Sequence, residues 1–447
     1  MASHLHARKK HLIEDDAPSE YPSPSSISDN PKSVKRQRRR KGEDRCAALA
    51  VAIFLILGFF LGYVLLHHQH RKVILHVMRN PWAHGTAVFR RRRQGFHHHF
   101  YSGPPRFVTV VMPSVVNSKG RGLRLDSIHK TWGPYARAIF VLHNQTEFPQ
   151  GSHLTFSEEK EPSDTFSYPQ TLLLPDMIGV DDGLPRLFYT IRAIHERVDP
   201  DFCFFVNDHT FVIPEHLCTY LDGLNAEDDL YAGHALRNGK EDVFNSGAAG
   251  YLLSRGTMKK LMQKWDEHAD KCWVGPDASA WLQGNPGLVT AQCLESIGIH
   301  AIDTREHNKW HRFHAFPLTR VVAGKVDGWY HNKHEGMEAF SGFDKSYGEL
   351  LQGEDCCSKE TVSFHYVEYL ECMALFATRE ALMRTPRMSD DQLKEFVLKT
   401  WPKERGDYGF YSMVLPKINN DEEWMPLLAV LRKISTPTSP DTDCLLM

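Results

Sequence analysis

Asn207-Asp208-His209-Thr210 is the stretch of this sequence best equipped for chemistry. An amide, a carboxylate and an imidazole stand in consecutive positions directly after the apolar run Phe202-Cys-Phe-Phe-Val206. At the tip of a strand such a set suits a divalent cation that bridges a diphosphate. Mg²⁺ and Mn²⁺ prefer oxygen ligands, Mn²⁺ tolerates imidazole better, and the cation neutralises charge building on a leaving nucleoside diphosphate. The same residues also form an Asx-type turn that closes a strand, and the triplet alone leaves both readings open. Downstream, Phe244-Asn-Ser-Gly247-Ala-Ala-Gly250-Tyr251-Leu-Leu-Ser254 gathers small residues. They let backbone approach a ligand closely, although a glycine-rich turn ahead of a strand has the same composition. Two histidine tracts, His67, His68 and His70 and then His97 to His99, have the makings of a metal site. No carboxylate or cysteine accompanies them, which favours a solvated stem. Cys356 and Cys357 are adjacent rather than spaced as in zinc sites, which argues against zinc.

The elements that must position these residues follow from apolar patterning. Arg106-Phe-Val-Thr-Val-Val-Met112, Ala138-Ile-Phe-Val-Leu142 and Phe202–Val206 are short apolar runs of the kind that form strands buried on both faces. Leu123 to Trp132 reads as a helix, and so does Gly183 to Arg197, where Leu187, Ile191 and Ile194 share one face. Strands alternating with helices predict an α/β sheet with parallel members, and in such sheets ligands sit beyond the carboxyl ends of the strands. The triplet 207–209 is at such an end. Further on, Ser389-Asp-Asp starts a capped helix to Thr400, and a short helix is expected from Glu422 to Lys433.

With 53 basic and 55 acidic residues, net charge gives no reason to expect a nucleic-acid partner. Residues 1–46 are polar, rich in Ser, Pro, Lys and Arg, and too poor in apolar surface to form a core, so they are expected to be a disordered tail. Residues 47–66 carry no charge, and their length fits a bilayer core of about 30 Å, so one transmembrane signal anchor is expected there. Basic residues crowd the side before the span, which puts the N-terminus in the cytosol and the remainder in a lumen as a type II protein. A stem over 67–105, a globular domain over 106–377 and an extension over 378–447 complete the expected organisation. The cysteines suit an oxidising lumen, and Asn144-Gln-Thr146 is an acceptor triplet for N-glycosylation. A span of this length fits the thinner membranes of the secretory pathway, Golgi or endoplasmic reticulum.

Four blocks in order resemble the Fringe-like inverting β1,3-glycosyltransferases, nearest to the core 1 (N-acetylgalactosaminide) β1,3-galactosyltransferases. Phe204-Phe-Val-Asn-Asp-His-Thr-Phe-Val-Ile213 resembles the segment that carries the family's DxD motif. Phe244–Ser254 is similar to its Ser-Gly-Gly-Ala-Gly-Tyr block. Ile302-Asp303-Thr-Arg305-Glu306 with Phe313-His314 resembles a third block, and Asp355-Cys-Cys-Ser358 with Val362-Ser-Phe-His365-Tyr-Val367 the C-terminal one. The resemblance implies a GT-A (Rossmann-like) fold, UDP-galactose as donor, O-linked N-acetylgalactosamine on a glycoprotein as acceptor, and Mn²⁺ as cofactor. Carried over residue by residue, it gives Asn207, Asp208, Gly247, Gly250 and Tyr251 to the nucleotide sugar and Asp208, His209 and His365 to the metal. Trp329 and Tyr330 would line the sugar or acceptor, or else belong to the core. It also favours a Cys272–Cys293 disulfide, and it leaves homodimerisation open.

The departures from the family are specific. Asn207 and His209 replace the outer aspartates, and the stretch that holds the family's base falls on Pro286-Gly287-Leu288, which cannot take a proton. An inverting transfer needs a base, and Asp277, Asp303 and Glu306 are the nearest carboxylates by sequence. Two other readings therefore stand beside the enzyme: an inactive homologue serving as chaperone or partner of a core 1 type synthase, and a lectin-like module.

Overall fold

The structure, a computed structural model, describes residues 105–113, 118–142, 169–174, 183–238, 242–272, 286–401 and 421–436. They all belong to one compact unit, Val88–Met447. The expected tail, apolar span and histidine tracts, Asn144 and Asp277 lie outside the described residues. Among the described residues, no helix is long and apolar enough to cross a membrane.

In chain order, the first half contains β1 (Phe107–Val111), α1 (Ser118–Lys130), β2 (Ala138–Leu142), β3 (Gln170–Leu173), α2 (Gly183–Arg197), β4 (Phe202–Val206), β5 (Phe211–Val212) and α3 (Pro214–Leu221). Next come β6 (Tyr231–Gly233), β7 (Ala235–Asn238), β8 (Asp242–Asn245), β9 (Tyr251–Ser254), α4 (Arg255–Cys272) and α5 (Pro286–Glu295). The last part holds β10 (Phe313–His314), α6 (Leu318–Val322), α7 (Gly328–His334), β11 (Ser363–Phe364), α8 (Tyr369–Arg384), α9 (Asp390–Thr400) and α10 (Asp421–Ser435).

Every residue of β1, β2 and β4 is buried, as unbroken apolar runs require of strands covered on both faces. The main sheet has the order β3-β2-β1-β4-β9-β6. Strands β3, β2, β1 and β4 are parallel, while β9 runs antiparallel to both β4 and β6. The predicted α/β sheet with parallel members is thus present, with an antiparallel flank. The chain builds outward from β1 to β3, then returns to lay β4 on the other side of β1. That reversal is a topological switch point, where two connections leave in opposite directions and open a crevice beyond the strand ends. Val111 pairs with Val206, and Met112 N donates to Val206 O at 2.8 Å, so Asn207 emerges at the mouth of this crevice.

The predicted face of α2 is the buried one: Leu187, Ile191 and Ile194 are all 2 % exposed or less. Helix α1 packs against α8, which in turn packs against α10 and α9. Helix α8 runs without interruption through residues 377 and 378, so the C-terminal helices build on the same body. Ser389 caps α9 in a reciprocal box with Gln392, at the residue the sequence indicated. A second, small sheet of order β10-β11-β5 lies beyond the end of β4.

Candidate functional site

The crevice is furnished by the small sheet. Strand β5 follows the triplet after one residue and pairs antiparallel with β11, with Phe211 opposite Phe364. Residue 365 is thereby delivered to residue 207 across 158 positions of sequence. Asn207 Nδ2 donates to His365 Nε2 at 3.0 Å, and Val367 N donates to His209 O at 2.9 Å. Tyr366, between the two anchored residues, is left-handed at φ 58°. A tyrosine holds this conformation only where its surroundings over-determine it, as functional sites often do. The Asx turn is also present: Asn207 Oδ1 accepts from His209 N at 2.9 Å and from Thr210 Oγ1 at 3.0 Å. Asn207 therefore serves both readings left open by the sequence, its oxygen closing the turn and its amide meeting the imidazole. Burial, with His209 beside it, pushes the His365 imidazole down to about 3, so it is neutral and accepts the amide's hydrogen.

Charge around the triplet is internally matched. Arg124 of α1 reaches Asp208 Oδ2 with both Nε and Nη2 at 2.8 Å, and the two side chains are 1 % and 0 % exposed. Arg124 Nη1 also stands 3.7 Å from Glu368 Oε2, and Glu368 Oε1 is 3.3 Å from His209 Nδ1. A buried carboxylate needs such a partner, since leaving it unpaired costs several kcal/mol. Glu368 also caps α8, and its backbone N–H donates to Glu371 Oε2 at 2.8 Å.

The other expected residues divide. Gly250, at φ +87°, lies directly under β4: a Cβ there would stand 2.6 Å from the Phe204 ring and 2.9 Å from Val206, so only glycine fits. Gly247 is exposed and sterically free. Tyr251 is buried, stacked on Phe205 at 5.4 Å and edge-on to Tyr231 at 5.7 Å, which makes it a core residue rather than one facing the crevice. Tyr330 is likewise internal, its hydroxyl 2.5 Å from His234 Nε2. Trp329 is 43 % exposed and adjoins Phe316, whose ring is in turn 6.2 Å from that of Tyr366. It therefore offers a solvent-facing aromatic plate joined through Phe316 to the His365 segment. Asp303 is held by Arg305 at 2.7 Å, and Glu306 accepts from Ser358 Oγ. Both carboxylates are thus committed away from the triplet.

Cys356 and Cys357 are bonded to each other, which removes zinc from consideration there. Cys293 is disulfide-bonded, and so is Cys218; the side chain of Cys272 lies outside the described residues. Cys203 and Cys372 are free and buried.

Sequence reading missed two members of the site, Arg124 and Glu368. Each carried a faint signal. Arg124 stands four residues before buried Ile128, a charge on an apolar helical face. Glu368 opens a Glu-x-x-Glu capping pattern immediately after the His365 block.

The metal implied by the resemblance can be tested against this donor set. The carboxylate of Asp208 is occupied by Arg124, His365 Nε2 by Asn207, and His209 Nδ1 faces Glu368. Among the described residues, no group of three or more His, Cys, Asp or Glu side chains is arranged to hold a metal ion. The set does not fit a hard divalent cation, which wants oxygen ligands.

No known family profile matches the chain. Over 200 residues it is 25 % identical to a glycoprotein-N-acetylgalactosamine 3-beta-galactosyltransferase 1 from Xenopus laevis, an alignment that covers 42 % of this chain and 50 % of that protein. Over 186 residues it is 24 % identical to a human (Homo sapiens) chondroitin sulfate glucuronyltransferase, covering 36 % of this chain and 22 % of that protein. The chain thus spans half or less of the length of these relatives. Both relatives are named as glycosyltransferases, and the similarity supports a glycosyl-transfer function for this chain.

Proposed function

We propose that the chain is a GT-A type glycosyltransferase that takes galactose from UDP-galactose and passes it, with inversion and in β1,3 linkage, to O-linked N-acetylgalactosamine on a glycoprotein. The observation that carries this reading is the meeting of Asn207 and His365 at the switch point of the sheet. Two segments 158 residues apart in sequence converge where an α/β sheet binds a ligand. Similarity to a galactosyltransferase and a glucuronyltransferase supports a nucleotide-sugar donor and a glycan acceptor. Trp329 supports an acceptor side, because an exposed indole suits the apolar face of a pyranose.

In such a transfer the acceptor hydroxyl gives its proton to a base and attacks the anomeric carbon while the bond to the diphosphate breaks and the nucleoside diphosphate departs. Asn207 holds the His365 imidazole in one orientation at the nucleotide end, and the His209–Glu368 contact fixes the neighbouring ring. The apolar run at 47–66 and the disulfide-bonded Cys218, Cys293, Cys356 and Cys357 support a type II protein with this domain in the lumen of the Golgi or endoplasmic reticulum.

One observation favours the inactive homologue: the only carboxylate of the triplet is buried against Arg124. Turnover separates the two. The full chain in detergent, given UDP-galactose and a GalNAc-threonine peptide, should add one hexose by mass, and Asn207→Ala should abolish it. Absence of product with any UDP-hexose, together with tight binding to a core 1 type synthase, would assign the chain to the chaperone class.

A further inference from the structure

If the crevice is a nucleotide-sugar site, the reading on which this inference rests, something there must neutralise the diphosphate. In the family this chain resembles, carboxylates of the triplet serve the metal. Here the triplet holds one carboxylate, on Asp208, and Arg124 Nε and Nη2 each lie 2.8 Å from its Oδ2, with the pair sealed from solvent. Moving Asp208 onto a cation would take from the buried guanidinium its partner at 2.8 Å and leave it Glu368 at 3.7 Å, an unfavourable exchange. The flanking positions offer an amide and an imidazole. The amide nitrogen of Asn207 points at His365, and its oxygen is taken by His209 N and Thr210 Oγ1. His209 and His365 remain, with ring centroids 6.2 Å apart. The nearby Glu368 carboxylate is also engaged, capping α8 and facing His209 Nδ1 at 3.3 Å and Arg124 Nη1 at 3.7 Å. Among the described residues no three such side chains are arranged to hold a metal ion, and two imidazoles alone are a poor set for Mg²⁺ or Mn²⁺, which are bound chiefly through oxygen.

We infer that this chain binds its nucleoside diphosphate without a divalent cation, the triplet having been rebuilt as a closed hydrogen-bonded and ion-paired unit. The uridine diphosphate is then met by protein groups alone, and neither affinity nor positioning depends on added metal.

The full chain in detergent is titrated with UDP by calorimetry in EDTA, and again with excess Mn²⁺. Binding of Mn²⁺ itself is followed by loss of its free electron paramagnetic resonance signal. Affinity for UDP should change by less than about twofold between the two conditions, well short of the tenfold that about 1.4 kcal/mol represents. The native chain should take up no stoichiometric Mn²⁺, with or without UDP. His209→Asp returns a carboxylate beside His365, and this variant should gain Mn²⁺ uptake and lose UDP affinity in EDTA. UDP binding by the native chain that vanishes in EDTA and returns with Mn²⁺ or Zn²⁺ would overturn the inference and leave the nucleotide-sugar reading intact. No UDP binding in either condition would overturn both.

Discussion

Arg124 and Asp208 show how one residue settles the character of the site. Because both are buried, they act as a unit. Arg124→Met leaves the Asp208 charge in the interior without its arginine, and a loss of about 3–5 kcal/mol in unfolding free energy is expected. Adding Asp208→Leu to that variant should recover most of the loss, since an apolar pair of similar volume replaces a buried ion pair at little cost. Urea denaturation of the single and double variants checks this, and equal stability of the two would refute it. Gly250 is constrained differently. Gly250→Ala forces a methyl to within 2.6 Å of the Phe204 ring at φ +87°. Overpacking of about 1–3 kcal/mol adds to a backbone cost of about 1–2 kcal/mol, and the same denaturation series reads it out.

At the scale of elements, much of the scaffold was legible. The strands over 107–111, 138–142 and 202–206 are unbroken apolar runs, and α2 shows its buried face in the spacing of Leu187, Ile191 and Ile194. Helix α9 announces its start at Ser389. Ser389 Oγ accepts from Gln392 N at 3.3 Å, and Ser389 N donates to Gln392 Oε1 at 2.9 Å. Ser389→Ala should therefore lower stability by about 1 kcal/mol without touching the crevice, as a shift in thermal midpoint with unchanged UDP binding. The two-residue strands β5, β10 and β11 were not legible, because two residues have no periodicity. Yet they are the elements that carry His365 to Asn207. The same limit explains Tyr251 and Tyr330. Their side chains suit a ligand face and a core equally, and only the packing of Phe205 and His234 decides between them. Arg124 and Glu368 escaped for a related reason: each carries a faint local signal, but nothing local says that residues so far apart in the chain meet.

For the molecule as a whole, buried histidines set the response to acid. His216 and His234 are pushed down to about 4 and His314 to about 3, with His311 and His334 also well below the ordinary value of 6.5; burial is the leading cause in each. The unfolded chain takes up protons on these rings as pH falls through about 6.5, and the folded chain does not. Folding stability is therefore fully present above that value and drains away down to about pH 4. Each ring that stays neutral in the fold removes about 1.4 kcal/mol for every pH unit of that descent. The urea midpoint should change little from pH 7.5 to about pH 6.5 and fall steadily from there to pH 5, and a flat or rising profile over that lower range would contradict it. The junction of β5 with β11 has a consequence in time as well as in space. During synthesis the sheet through β4 emerges first, but Asn207 meets its partner only after 158 further residues, roughly 10–30 s at ordinary rates of elongation. Lys433 of α10 then bonds the carbonyl oxygens of Glu354 and Cys357, just ahead of β11. The crevice thus matures only once the His365 segment has emerged, and a polypeptide released short of β11 would carry the sheet without a finished site.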